Sequence, residues 1–538
     1  VVNPGLFLRR GRKVTSTTLK LTPEQRSALA LQLRDIGLPE ELWALPHMAR
    51  IKEAADAVGV KPEGLAAACF NRAGILAGPR VLGQPNPQKS PVHLGGFYAL
   101  VAFSGAGSNT TMSARDRLMP VPAALAKPSL PVFVSAEDVE EFDFGFQTLR
   151  PANGSALLAR MLRKIVLSED EDDIMGPQPG TPEFAWGCVP RTELSYSEGA
   201  VLLSAMSKSS SRGNQALELE SNLLDAYVGD EIRNDTASDE HHRVVPAQKY
   251  VLGITAYYQG EIFAEVAGHT TGFYQRNMIV PVVTASEDEA VLEVGRLLSR
   301  GQAVPESLRA AALEARRERP GFPDSFGDVV DFCVRVGADE EGVVLSMPEV
   351  MGDELTILAS SLSGGLTLED PRASHATLAL YRVAAQSALM RCSYEISEED
   401  WAVARGFGSV THRAAEVLTS FQSRVETEGR VEEAGRKSRA ERVRENADAM
   451  GTPGTWPEIV ARVAHKITAK CRLKPLSQVE IRDRLTKSEV TEWEESCVIA
   501  GGDWEKEKAK GGLARWTVRY AVENKLLADN GEGKYTPR

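Results

Sequence analysis

Two segments carry residue types whose spacing suggests chemistry. The first is SGAGSNTTMSARD at 104–116. It follows the apolar run FYALVAF at 97–103 and precedes a helical pattern. A strand, a Gly-rich loop and a helix start are the context in which backbone N–H groups converge on a phosphate. The usual loop, GxxxxGK[ST], adds a Lys for the β/γ-phosphates and a hydroxyl for Mg²⁺. Here Gly105 and Gly107 are present, Ser108 occupies the Lys position and Asn109 the next, and Thr110 and Thr111 would supply a hydroxyl. The same residues also suit an ordinary Gly/Ser turn between strand and helix. The second segment is C-terminal. Arg515 and Arg519 are spaced i, i+4 on a helical pattern, which puts them on one face. Lys525 ends that pattern, and Lys534 follows Asn530-Gly531, a hairpin signal. A helix followed by a hairpin, both presenting cations, suits the phosphate backbone of DNA. A winged helix that binds protein is the alternative, because Glu492, Glu494, Glu495, Glu505 and Glu507 leave the segment only weakly basic.

The elements that must position these residues follow from periodicity. Thr22-Pro23-Glu24 reads as a helix start, and apolar residues recur at helical spacing to about Ala77. Short continuous apolar runs at 97–103, 132–134, 185–189, 250–254 and 278–283 read as buried strands with helical patterns between them. That alternation predicts an α/β core with a largely parallel sheet. Residues 286–318 read as helical, 319–372 as irregular, and 373–391 and 397–420 as helical. The charge-dense stretch 421–450 reads as a solvated helix or helical linker, and GTPGTWP at 451–457 as a break. Ser477 with Glu480 is a capping box that opens a helix in the last unit.

Composition bounds the function. The 538 residues carry a net charge of −12, which excludes a basic nucleic-acid coat over the whole chain. Residues 451–538 hold 16 Lys/Arg against 13 Asp/Glu, so the remainder carries −15 and the cations are concentrated at the C-terminal end. No apolar run is long enough to cross a membrane, and no secretory signal is expected, so a cytoplasmic protein without a membrane partner is the expectation. The six cysteines show no CxxC spacing and read as reduced, buried thiols. The adjacent His241 and His242 read as a surface pair, and no metal site or His-based triad is expected. Trp43, Trp401 and Trp493 read as core anchors.

The order of segments resembles the P-loop ATPases with a RecA/AAA+-like core found in actinobacterial and phage replication-type proteins, helicase- or primase-associated. The resemblance runs from about Glu40 to the end, through 42–74, 104–120, 152–162, 194–206, 212–234, 250–282, 396–404 and 534–537. It implies a helical N-terminal region at 1–84, a P-loop ATPase-like core at 85–285, a helical segment and charged linker at 286–450, and a winged helix-turn-helix at 451–538. It assigns Gly105, Gly107, Ser108, Asn109, Thr110 and Thr111 to a phosphate site. It makes Glu198 the residue that polarises water, Thr255 a sensor at a strand end, and Arg276 a finger or sensor reaching a phosphate across a subunit boundary. It places Lys208 and Arg212, beside a Ser-rich loop, in the channel of a ring, most simply a hexamer. ATP with Mg²⁺ is the implied cofactor. Ser108 and Ser197 stand where the family has its Lys and its metal-holding Asp, which points to impaired hydrolysis. The expected function is DNA binding by an oligomeric ring on a replicative-helicase-like scaffold. The rivals are an active ATP-dependent helicase or initiator of a phage or mobile element, and a non-enzymatic regulator or phage interference factor acting on replication proteins.

Overall fold

The structure, a computed structural model, describes residues 21–85, 91–103, 108–125, 132–135, 145–168, 184–207, 215–234, 243–267, 272–283, 289–299, 301–317, 320–339, 341–363, 373–449, 458–471, 475–500, 510–529 and 534–537. The chain divides into two compact units, Val1–Gln422 and Ser423–Arg538.

The first unit opens with α1 (Pro23–Arg34), α2 (Pro46–Val58) and α3 (Pro62–Ala77). Each has Pro in its first turn, where the missing N–H costs nothing, and Thr22 with Gln25 forms a capping box on α1. There follow β1 (Val81–Gly83), β2 (Val92–His93), β3 (Phe97–Ala102), α4 (Ser108–Leu118), β4 (Val132–Ser135) and β5 (Phe146–Leu149). Next come α5 (Gly154–Met161), β6 (Leu162–Ser168), β7 (Phe184–Cys188), β8 (Arg191–Tyr196), α6 (Gly199–Ser207) and α7 (Gln215–Val228). The chain continues through β9 (Ile232–Asn234), β10 (Arg243–Val245), β11 (Val251–Gln259), α8 (Gly260–Ala267), α9 (Gly272–Gln275) and β12 (Met278–Pro281). Beyond these lie α10 (Glu289–Ser299), α11 (Glu306–Arg317), α12 (Gly327–Gly337), β13 (Val343–Leu345), α13 (Glu349–Ser363), α14 (Ala373–Met390) and α15 (Glu398–Ala449), whose residues from Ser423 onward belong to the second unit.

The central sheet has the order β12-β3-β11-β8-β5, and every neighbouring pair is parallel. An α/β core with a parallel sheet, as the alternation predicts, is present. Two of the apolar runs are elsewhere: residues 132–135 and 184–188 join β6 in a separate three-stranded sheet, β4-β6-β7. Their places in the central sheet are taken by β5 and β8, whose sequences are too polar to read as core strands. Each finds a partner inside the fold: the Gln147 amide nitrogen donates to the Thr192 hydroxyl at 3.0 Å, and Arg191 donates to the Leu76 carbonyl at 2.9 Å.

Successive β11 residues point to opposite faces. Gly253 and Thr255 meet Asn71 and Ile75 of α3, whereas Tyr258 meets Gly199 and Phe263 at the starts of α6 and α8. Helices thus cover both faces, with α3 and α4 on one and α6, α7 and α8 on the other. Residues 319–372 are not irregular throughout, since α12 and α13 occupy much of that span. Helix α15 extends through the charge-dense stretch, and Phe421 on it is buried. Trp43 and Trp401 are core residues.

The second unit contains α16 (Glu458–Cys471), β14 (Leu476–Ser477), α17 (Gln478–Asp483), α18 (Lys487–Ala500), α19 (Lys510–Glu523), β15 (Leu527–Asp529) and β16 (Lys534–Pro537). Its antiparallel sheet has the order β14-β16-β15. The Ser477–Glu480 capping box opens α17. The core gathers Val460, Val463, Ile467, Trp493, Leu513 and Val518.

Candidate functional site at the carboxyl edge of the sheet

In a parallel α/β sheet the loops that bind ligands lie at the carboxyl ends of the strands, where the strand order reverses. Here β3 leads to α4 on one face, and the chain then returns through β5, β8 and β11 before β12 is added on the other side of β3. The carboxyl ends of β5 and β8 and the first turns of α4 line an open cleft of about 480 Å³. Asn109 and Ser113 come from α4, Thr148 and Arg150 from the end of β5, and Ser197 from the residue after β8. Two positions that the motif order assigned separately, Asn109 and Ser197, therefore share one cleft.

Beneath it lies a buried ionic cluster. Glu193, wholly inaccessible on β8, accepts from Arg72 Nη2 at 2.7 Å and from Arg115 Nη1. Asp116 accepts from the same two side chains, at 2.9 Å and 2.7 Å. Burial pulls the Arg115 pKa down, but the Glu193 and Asp116 carboxylates outweigh it and hold the guanidinium above its ordinary value. Arg115 therefore has each of its nitrogens committed to a carboxylate.

The remaining expected residues are placed as follows. Gly105 and Gly107, and Lys208 and Arg212, lie outside the described residues, as do His241, His242, Asn530 and Gly531. Ser108 is the first residue of α4 and Thr110 is exposed on it. Thr111 is buried beside the Tyr257 hydroxyl. Glu198 is exposed between β8 and α6. The turn there is close to β11, since a Cβ on Gly199 would come within 2.4 Å of the Tyr258 ring. Thr255 does not end a strand. It is the fifth residue of nine in β11, inaccessible, and its hydroxyl accepts from Asn71 Nδ2 at 2.9 Å. Arg276 precedes β12 and so lies at the amino edge of the sheet, on the order of 20 Å from the start of α4 at about 3.3 Å per strand residue. Its Nη1 donates to the Gly272 carbonyl and its guanidinium lies 5.5 Å from the Tyr227 ring centroid.

Sequence reading missed Arg150, because its position depends on recognising 146–149 as a strand. It also missed a buried His47–Ser387–Asp400 row. There the serine hydroxyl donates directly to Asp400 at 2.7 Å and accepts from His47 Nε2 at 3.1 Å, while His47 Nδ1 has no partner. A catalytic triad needs the histidine between serine and carboxylate, so this row is structural.

In the second unit, α19 buries Leu513, Ala514, Thr517, Val518 and Ala521 and exposes Arg515 and Arg519 on the other side. Arg519 Nε donates to Glu523 at 3.0 Å. Lys525 is exposed and takes a left-handed φ of 58° at the helix end, and Lys534 is exposed at the start of β16. Of the acidic residues on α18, Glu489 pairs with Lys466 and Glu492 with Arg462, so both are engaged by α16.

Among the described residues no group of three or more His, Cys, Asp or Glu side chains is placed to hold a metal ion, and no helix is long and apolar enough to cross a membrane. A Mg²⁺-triphosphate of the usual loop type needs a lysine and a carboxylate. Ser108, Asn109 and Ser197 offer neutral groups only, so they do not fit that complex. The chain matches no protein-family model and no curated protein.

Proposed function

We propose that this protein binds DNA through its C-terminal unit and carries a replicative-helicase-like P-loop scaffold whose ATP hydrolysis is impaired. The observation that carries the reading is the face of α19. Arg515 and Arg519 are exposed together there, and Lys534 stands at the start of β16 in the same small unit. The order of helices and the β14-β16-β15 sheet support a winged helix with α19 as the recognition helix and the β15–β16 hairpin as the wing. The pairing of Glu489 and Glu492 with α16 supports the DNA reading over the protein-binding one, since it directs two acidic side chains to α16. For the scaffold, the support is the meeting of Asn109 with Ser197 at the carboxyl edge of a parallel sheet. Arg276 would act on a phosphate only in a neighbouring copy, so the reading includes a cyclic homo-oligomer with head-to-tail contacts.

The test is the salt dependence of duplex DNA binding, followed by fluorescence anisotropy. Each phosphate contact contributes a slope of about −0.9 in log K against log salt. Arg515→Ala with Arg519→Ala should lower affinity and flatten the slope by roughly 2 units. Both side chains are exposed, so the fold should survive, as circular dichroism would verify. Unchanged affinity and slope in a folded double variant would refute the reading.

A further inference from the structure

Arg382 of α14 carries a charge that no described neighbour offsets. It is 1% exposed and lies at the amino edge of the central sheet, away from the cleft beside α4. Its Nε donates to the His93 carbonyl at 3.0 Å and its Nη2 to the Tyr227 carbonyl. Its guanidinium carbon sits 4.1 Å from the centroid of the Tyr227 ring, which packs on Phe97, the first residue of β3. Carbonyls and a ring face bring dipoles and a quadrupole but no negative charge. Arg72 and Arg115 share Glu193 and Asp116. Beside Arg382 there is no carboxylate among the described residues, and burial, with the Arg276 charge adding to it, lowers its pKa.

Three donors are left over around the Tyr227 ring. Arg382 Nη1, Arg276 Nε and the Tyr227 hydroxyl are buried without a hydrogen-bond partner. The hydroxyl is close enough to Arg382 for each to shift the other's pKa, yet the two are not aligned for a hydrogen bond. Buried polar atoms are rarely left alone, so donors gathered at one ring call for an acceptor. The charges give its valence. Asp225 is the described carboxylate that acts on Arg276, so two guanidiniums and one carboxylate leave a single positive charge. His375, beside Arg276, adds none at neutral pH, because burial and then the Arg276 charge hold its pKa at about 4.

We infer that one monovalent anion, of the size of chloride, binds between Arg382, Arg276 and the Tyr227 hydroxyl. It accepts from the three leftover donors and supplies the counter-charge that a buried guanidinium requires. A halide suits the site better than a larger anion, since Arg382 and Tyr227 are each only 1% exposed. Half-buried Arg276 and His375 mark the side from which it enters. The site rests on neither the DNA-binding nor the P-loop reading.

The test is the linewidth of the chloride nuclear magnetic resonance signal, with sodium chloride titrated into the full chain in sodium gluconate at constant ionic strength. Saturable broadening is expected, and bromide should displace it. Tyr227→Phe keeps the ring and removes one donor, so it should weaken chloride binding by about tenfold to a hundredfold. The lost hydroxyl is unpaired, so the variant should fold, as circular dichroism would verify. Amide exchange of peptides from α7 and α14, which supply Tyr227 and Arg382, should slow about tenfold when chloride at about ten times its Kd replaces gluconate. Absence of saturable broadening, or broadening that Tyr227→Phe leaves unchanged, would overturn the inference and leave the three groups to water. Displacement by orthophosphate at lower concentration than bromide would overturn the monovalent assignment.

Discussion

Removing the charge of Glu193 should unlock the centre of the first unit. Glu193→Gln keeps the size of the side chain but leaves Arg72 and Arg115, each 3% exposed, without their buried counter-charge. Breaking a buried pair by neutralising one partner costs about 3–5 kcal/mol, because the remaining charge stays desolvated. Asp116 still contacts both guanidiniums, but it is 56% exposed and screened by water, which favours the lower end of that range. Domains are stable by only about 5–15 kcal/mol, so the loss is a large fraction of the total. Two units make a single unfolding transition a poor measure. Amide hydrogen exchange of β8, read by mass spectrometry on peptides spanning 191–196, reports local opening instead. Exchange there should accelerate by about a hundredfold to a few thousandfold, at a factor of ten per 1.4 kcal/mol. Arg405→Ala is the control. Its pair with Glu354, at 3.2 Å, is 54% and 42% exposed on the two sides, and such pairs are worth about 1 kcal/mol or less. If Glu193→Gln changes β8 exchange no more than Arg405→Ala changes exchange at its own position, the reasoning about the buried cluster is wrong.

Two further outcomes follow from the same side-chain accounting. His93 is inaccessible and neutral by its bonding, since Nδ1 accepts from the Gly95 N–H at 3.2 Å and Nε2 donates to the Ala226 carbonyl at 2.6 Å. Burial, with the Arg382 charge beside it, lowers its pKa to about 3, and burial lowers that of His47 to about 4. Both lie below the unfolded value of about 6.5, so the unfolded chain binds more protons in between, and stability is full above pH 6.5 and lost as pH falls toward 3. The urea midpoint of the first unit should therefore drop between pH 7.5 and pH 5, and less so in His93→Asn, which starts lower. A flat wild-type profile would contradict this. Because Ser108 and Ser197 are neutral, ATP turnover should be negligible, and a steady-state rate of about 1 s⁻¹ or more, the low end for ordinary enzymes, would reject the impaired-hydrolysis reading.

Local signals were sufficient for the helices and the caps. Thr22-Pro23, Ser477 with Glu480 and the apolar stripes need only neighbours a few residues away, and α1, α17 and α19 form where those signals lie. The parallel α/β class was also legible, because β3, β11 and β12 are continuous apolar runs. Strands β5 and β8 were not. RTELSY is too polar to register as an apolar run, yet every one of its residues is buried. The partners that make this tolerable, Arg72, Arg115 and the Leu76 carbonyl, come from distant parts of the chain. For the same reason Thr255 reads as a strand-end sensor but is a mid-strand residue held by Asn71, 184 positions away. The apolar runs at 132–134 and 185–189 carry no information about which strand they pair with, and the strands built on them, β4 and β7, belong to a second sheet. At the candidate site, motif order alone pointed to Asn109 and Ser197. Arg150 became visible only once β5 had a place beside β8, with Ser195 there to hold its guanidinium. Sequence by itself determined the elements whose stability depends on near neighbours and on apolar periodicity. Tertiary structure alone decided which polar residues are buried, paired or left open, because desolvating a charge depends on groups that only folding brings within hydrogen-bond distance.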